Sequence, residues 1–270
     1  MDMHTTGRSI YLFCFAHRAG LPLIAGPGVE EHGPIARLEF REVVAVVQEV
    51  PLEMFAGPAA EARLQDLAWV GPRACRHEEV VERAMQHSPV LPARFGALFS
   101  SPESLKALIE DHYEAIFQFL DYAGDKEEWA VKGLLDREEA QRYRGTAGSQ
   151  EASPSSSPGR RYLMERRHHV QAVQEVSSWA RETDLALATE LKRCAADFRR
   201  LRPLSQEASG RGREMVFNWA FLVAHRDREV FRSQVEKLSA EQAGRGLVLE
   251  LSGPWPPYSF CPSLAPREAP

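Results

Sequence analysis

The stretch that constrains this chain most is Gly253-Pro254-Trp255-Pro256-Pro257-Tyr258-Ser259-Phe260. Its prolines fix φ near about −65° and remove backbone donors, so the piece can be neither a helix nor an inner strand of a sheet. It reads as an extended strap close to polyproline II, with Trp255, Tyr258 and Phe260 as large aromatic handles. Such a strap can lock onto its own domain or present its rings to a partner. It follows a short apolar run, Leu247–Leu251, and precedes a tail, 261–270, with neither helical nor strand periodicity.

A length of 270 residues suits one large or two medium domains, and a 44% hydrophobic content is enough for sizeable cores. The formal charge of −5 argues against a general nucleic-acid binder, which carries a basic excess or stripe. Cys14, Cys75, Cys194 and Cys261 are too scattered for a disulfide framework or a zinc site and read as reduced packing residues. The polar start, Met1–Ser9, leads into no signal-type apolar core, and no run approaches the roughly 20 apolar residues of a membrane helix. The expectation is a soluble, cytoplasmic protein without membrane or nucleic-acid partners.

Taken in order, Ile10–Ala16 reads as a central strand, and Ile35–Phe40 and Val43–Val50 as two more around a tight turn at Arg41-Glu42. Glycines and prolines between 20 and 33 mark a loop. A helix is expected from Pro58 to about Trp69, broken by Gly71-Pro72, and a second from Arg73 to Gln86 with Ala74, Cys75, Val80, Val81, Ala84 and Met85 as its apolar stripe. The extended segment Val90–Phe99 carries one charge, Arg94, which either snorkels to the surface or pairs with a buried acid. Ser101 and Pro102 then cap and open a helix that ends at Ala123-Gly124, the expected domain boundary.

The second half starts with a strand over Glu128–Leu135 and a short polar helix over Asp136–Arg144. Gly145–Arg160 is so rich in Gly, Ser and Pro that it cannot offset its ordering entropy by burial, which predicts a mobile loop. Arg161–Leu201 has no Gly or Pro and keeps apolar residues three or four apart, which predicts, if continuous, one long helix that either lies over its own sheet or packs in part on a partner as a coiled coil. A strand over Arg213–Ala224, a helix over Asp227–Glu241 and the Leu247–Leu251 strand complete the pattern. The fold class is therefore α+β in two domains, 1–124 and 125–270, the second a β-α-β-α-β sandwich with a long helix.

Catalytic signatures are missing from the sequence. Gly26-Pro27-Gly28 lacks the Gly-Lys-Ser/Thr of a phosphate loop, and no Gly-x-Ser-x-Gly elbow occurs. His168 and His169 are adjacent on a predicted helix and diverge, while His77, His87, His112 and His225 have no neighbour at metal-ligand spacing and read as surface or boundary residues. No metal or cofactor is expected. An enzyme of unrecognised type acting on a small molecule stays open as the alternative to a binding protein.

Four segments in this order resemble the gas vesicle protein GvpF/GvpL family: the Ile10–Ala16 strand, Val90-Leu91-Pro92-Ala93-Arg94-Phe95-Gly96, the Glu128–Lys132 strand, and the closing Gly-Pro-Trp-Pro-Pro-Tyr-Ser-Phe. The resemblance spans roughly residues 9 to 261, and the closing motif is its most specific part. Ala93 stands where the family often has an aromatic, and Ala97 where it often has Thr. The resemblance implies a non-enzymatic accessory protein of gas vesicle formation, its second domain a modified ferredoxin-like fold. It further implies binding to the hydrophobic shell protein and to other vesicle accessory proteins during nucleation or growth. Arg94, Phe95, Trp255, Pro256, Pro257, Tyr258 and Phe260 are the candidate partner-binding or structural residues.

Overall fold

The computed structural model describes residues 7–145, 158–203 and 213–264. The chain forms two compact units, one running to Glu127 and resumed from Trp255 onward, the other spanning Glu128–Pro254. The strap from Trp255 thus belongs to the first unit, whereas the sequence placed it at the close of the second. The reason lies in its contacts: the Tyr258 hydroxyl meets Glu78 and the Cys261 thiol meets Pro92 O, both in the first unit.

The first unit contains β1 (Arg8–His17), β2 (Ile35–Phe40), β3 (Val43–Pro51), α1 (Leu52–Phe55), α2 (Pro58–Gln65), α3 (Leu67–Met85), β4 (Val90–Pro92), β5 (Leu98–Phe99) and α4 (Pro102–Ala123). Its sheet has the order β2-β3-β1-β4, with β5 also paired to β1. β1 is the hub and, as its apolar composition requires, is buried on both faces. The β1–β3 register shifts between Leu12 and Cys14, leaving Phe13 as the extra residue of a bulge. The bulge puts Tyr11, Phe13, Cys14 and Ala16 in one core cluster with Val80, Val81 and Ala84 of α3. Alternation turns Leu12 and Phe15 the other way. The α4 helix packs on these strands through a stripe that includes Leu105, Ile109 and Ile116, behind a Ser101–Ser104 capping box. Gln48, fully buried in β3, donates to Glu30 O and Gly33 O and accepts from Glu30 N–H, pinning the glycine-rich loop.

Helix boundaries near residue 70 differ from expectation. The break falls at Asp66, whose carboxylate caps Ala68 N–H at 2.9 Å, and Gly71-Pro72 lie inside α3. Pro72, in the second turn of α3, lacks an N–H and so removes one intrahelical bond. Cys75, expected on the apolar stripe, is exposed.

The second unit contains β6 (Lys126–Leu135, crossing in from the first), α5 (Arg137–Gly145), α6 (Pro158–Leu191), β7 (Asp197–Leu201), β8 (Glu214–Ala224), α7 (Arg228–Gln242) and β9 (Leu247–Trp255). Most of the expected loop, 146–157, lies outside the described residues. The expected helix over Arg161–Leu201 is too long: α6 ends at Leu191, a 3-10 turn covers Lys192–Cys194, and Asp197–Leu201 is a strand antiparallel to β8. Phe198 packs on Trp219 and Phe221 from that strand, so tertiary pairing overrides the helical spacing of Leu187, Leu191, Cys194, Phe198 and Leu201. Asp184 of α6 fixes the junction by pairing with Arg200 of β7 at 2.6 Å. The extra strand makes the pattern β-α-α-β-β-α-β, and the sheet order β7-β8-β6-β9 completes a ferredoxin-like plan in place of the expected β-α-β-α-β. Its core joins Trp129, Trp219, Phe221 and Phe231 with Leu187 and Leu191. Val230 of α7 is exposed.

Candidate functional site

The Leu-Pro-Ala-Arg-Phe-Gly segment is held against the β1 bulge. Ala93 N–H donates to Phe13 O and Leu12 N–H donates to Ala97 O, both at 2.9 Å, so the loop grips the bulge at its two ends. Between them Ala97 N–H donates to Arg94 O at 3.1 Å, closing a tight turn. Gly96 sits in that turn at φ +85°, which a side chain would oppose. The turn sends its two large side chains apart. Phe95 enters a ring cluster with Tyr11, Phe55 and His77, at centroid distances of 6.0 to 6.3 Å. Arg94 points into solvent and makes no hydrogen bond or ion pair through its side chain among the described residues. Of the two readings open to Arg94, the surface one holds.

Behind the loop stands a buried polar relay that the sequence did not disclose. His77 is 3% exposed, not a surface or boundary residue. Its Nε2 lies 3.1 Å from Ala93 O, which can only accept, so Nε2 carries the hydrogen. Nδ1 of the neutral ring then accepts from the Tyr11 hydroxyl at 2.9 Å. The Tyr11 oxygen in turn accepts from Gly96 N–H at 3.1 Å. Burial holds His77 neutral by lowering its pKa from 6.5 to about 4, and the same burial raises Tyr11. The signal was available: His77 precedes Val80 and Val81 by three and four residues, on the buried stripe of α3.

The strap closes the other wall. β9 carries it as far as Trp255, so its first three residues are strand; Tyr258–Phe260 is a 3-10 turn. Polyproline II does not extend through it. Tyr258 N–H donates to Pro256 O at 2.8 Å around Pro257, a γ-turn. Pro256, Pro257 and Phe260 are buried. The Tyr258 hydroxyl donates to Glu78 Oε2 at 2.9 Å, and burial with the Glu78 charge raises its pKa far above the usual phenol value. Trp255 remains 39% exposed.

Loop, bulge, α4 and strap enclose a groove of about 540 Å³ whose lining lies wholly in the first unit. Leu12, Phe15 and Leu91 are its buried floor, and half-buried Ala97, Phe99 and Leu108 form an open apolar wall. Arg94 and Tyr258 line the same groove, Phe95 stands behind it, and Trp255 lies outside its lining. Arg94 is the one charged side chain of that lining. A second concavity, about 350 Å³ in the second unit, is lined by Arg137, Asp184 and Glu214 among others. Arg137 pairs with Glu214 and Asp184 with Arg200, while Arg181, also in the lining, donates to Ser178 Oγ at 3.2 Å. His168 and His169 lie on α6 among residues whose side chains the structure does not describe. Among the described residues no cluster of three His, Cys, Asp or Glu could hold a metal, and no helix is long and apolar enough to cross a membrane.

Comparison with known proteins points one way. The family model for gas vesicle synthesis protein GvpL/GvpF matches residues 9–262. Gas vesicle protein L of Streptomyces sp. (strain CB03234) is 31% identical over 233 residues, 84% of this chain and 83% of the relative. Gas vesicle protein F of the same strain is 29% identical over 192 residues, 68% of this chain and 75% of the relative. The crystal structure of gas vesicle protein GvpF from Anabaena sp. PCC7120 superposes with a TM-score of 0.71 at 17% identity, covering 95% of this chain and 97% of that one.

Proposed function

The chain belongs to the gas vesicle synthesis protein GvpL/GvpF family, and from that premise we propose that it is a cytoplasmic accessory protein that binds the hydrophobic shell protein and other vesicle proteins during nucleation or growth of the vesicle. The observation that carries this reading is the groove: a concave apolar wall of Ala97, Phe99 and Leu108 over a buried floor. A shell subunit with a large apolar face needs cover before it assembles, and an apolar concavity on an acidic, soluble carrier supplies it. Arg94 and Tyr258 serve this site directly, Arg94 at its opening and Tyr258 in its wall. Phe95, Pro256, Pro257 and Phe260 hold its walls in place. No step of the reading requires catalysis.

Capture of shell protein by the full chain tests it. Ala97→Trp fills the groove from a half-buried wall position. The expected result is at least tenfold weaker capture with an unchanged melting temperature. Equal capture by the wild type and the filled variant removes the groove from the function.

A further inference from the structure

The lining of the groove specifies more than apolarity. We propose that it receives a protein segment in which an apolar anchor residue stands beside an Asp or Glu, the anchor seated against Phe99 and Leu108 and the carboxylate paired with Arg94. This rests on the groove being a docking site, and it names the chemistry of what docks.

Three observations carry it. First, the charge in the lining is one-signed: Arg94 is its only charged side chain. Second, Arg94 is uncommitted, with no hydrogen bond or ion pair through its side chain among the described residues, although the arginines of the neighbouring helix are engaged. Arg73 pairs with Glu30 at 2.9 Å, Arg76 with Glu31 at 3.4 Å, and Arg83 donates to Pro27 O at 3.0 Å. Third, its backbone is fixed in advance. The loop is bonded to β1 at Ala93 and Ala97, to Tyr11 at Gly96 and to His77 at Ala93. A fixed turn spares the backbone part of the ordering cost on binding, and a free guanidinium can meet a carboxylate with two parallel hydrogen bonds.

A wholly apolar segment laid in this groove would cover Arg94 without a partner, and desolvating an unpaired charge opposes binding. A lysine or arginine beside the anchor would be repelled. An adjacent carboxylate answers both, so complementarity selects an apolar residue with an acidic neighbour. The same logic gives specificity among apolar segments that would otherwise compete.

The test uses the full chain and fluorescent ten-residue peptides tiled across the shell protein and the other vesicle proteins. Each acidic peptide is paired with its Asn or Gln counterpart. Proteins are the wild type, Arg94→Gln, Arg94→Lys, and Arg41→Gln on the β2–β3 turn, outside the groove lining. The bound peptides are expected to be acidic and to lose about tenfold in affinity on neutralisation or on Arg94→Gln. The two losses should not add when combined, the mark of a direct pair. Arg94→Lys should restore part of the affinity, and Arg41→Gln should change nothing. Peptides or intact shell protein held equally by wild type and Arg94→Gln overturn the inference and leave the docking reading standing. Failure to hold any peptide or the intact shell protein overturns both. Arg94-dependent binding of dodecanoate with no peptide bound also overturns it, by giving the groove to a small amphiphile.

Discussion

The Tyr11 hydroxyl donates a 2.9 Å hydrogen bond to His77 Nδ1, joining residues 66 positions apart inside the first core. The same hydroxyl accepts from Gly96, and the same imidazole donates to Ala93. Two side chains therefore complete the hydrogen bonding of the loop that presents Arg94.

Tyr11→Phe keeps the ring and removes the oxygen. His77 Nδ1 and Gly96 N–H then lose their partner in a buried setting, at about 1–3 kcal/mol for a stranded buried group. We expect unfolding in denaturant to shift by about 2 kcal/mol or more. A shift below about 0.5 kcal/mol would mean that water replaces the hydroxyl.

His77 gives a pH dependence with a definite sign. Its folded pKa, about 4, lies below the ordinary 6.5, so between these values the unfolded chain binds a proton that the folded one does not. Stability from this group is fully present above about pH 6.5, falls as pH drops toward about 4, and levels off below that. The full range corresponds to about 3 kcal/mol at 1.36 kcal/mol per unit. His77→Gln should flatten this part of the stability profile. Parallel slopes for wild type and variant would assign the acid sensitivity to other groups.

The aromatic residues of the strap divide between anchoring and exposure. Phe260→Ala empties a buried ring site and should lower stability by about 3 kcal/mol, in the lower range for such truncations. Trp255→Ala removes a ring that is 39% exposed and should lower it by less, about 2 kcal/mol. Comparable melting temperatures for the two variants would place the anchor elsewhere in the strap.

In the second unit, a Cβ on Gly133 would run into the ring of Phe217, which stacks on Trp219 at 3.8 Å. Gly133→Ala should therefore destabilise that unit by about 1–3 kcal/mol, as overpacking does. Near-ultraviolet circular dichroism from the stacked rings should weaken with it. An unperturbed spectrum and melting temperature would show that Phe217 has room to move.

What the sequence disclosed follows from how local its causes are. The strands of the first unit and the Ser101 cap were legible because alternation and capping depend on neighbours in sequence. β7 was hidden, since Phe198 and Leu201 satisfy a helical rhythm and only pairing with β8 decides the matter. His77 was set aside as a surface residue because its role depends on Tyr11 and Ala93, both remote along the chain. The strap was recognised as important, but its association with the first unit turns on a bond from Tyr258 to Glu78, 180 residues away. Of the candidate residues, Arg94 and Tyr258 meet in the groove, while Leu12, Phe15, Phe99 and Leu108 carried no signal beyond apolarity.

Photo-crosslinking during vesicle formation tests the central claim most directly. A benzoylphenylalanine in place of Phe99 keeps an aromatic ring in the groove wall, and one at position 41 places the reactive group on the β2–β3 turn. The expected result is a crosslink to the shell protein or another vesicle protein from position 99 and none from position 41. Crosslinking from position 41 alone, or from neither position while vesicles form, would contradict it.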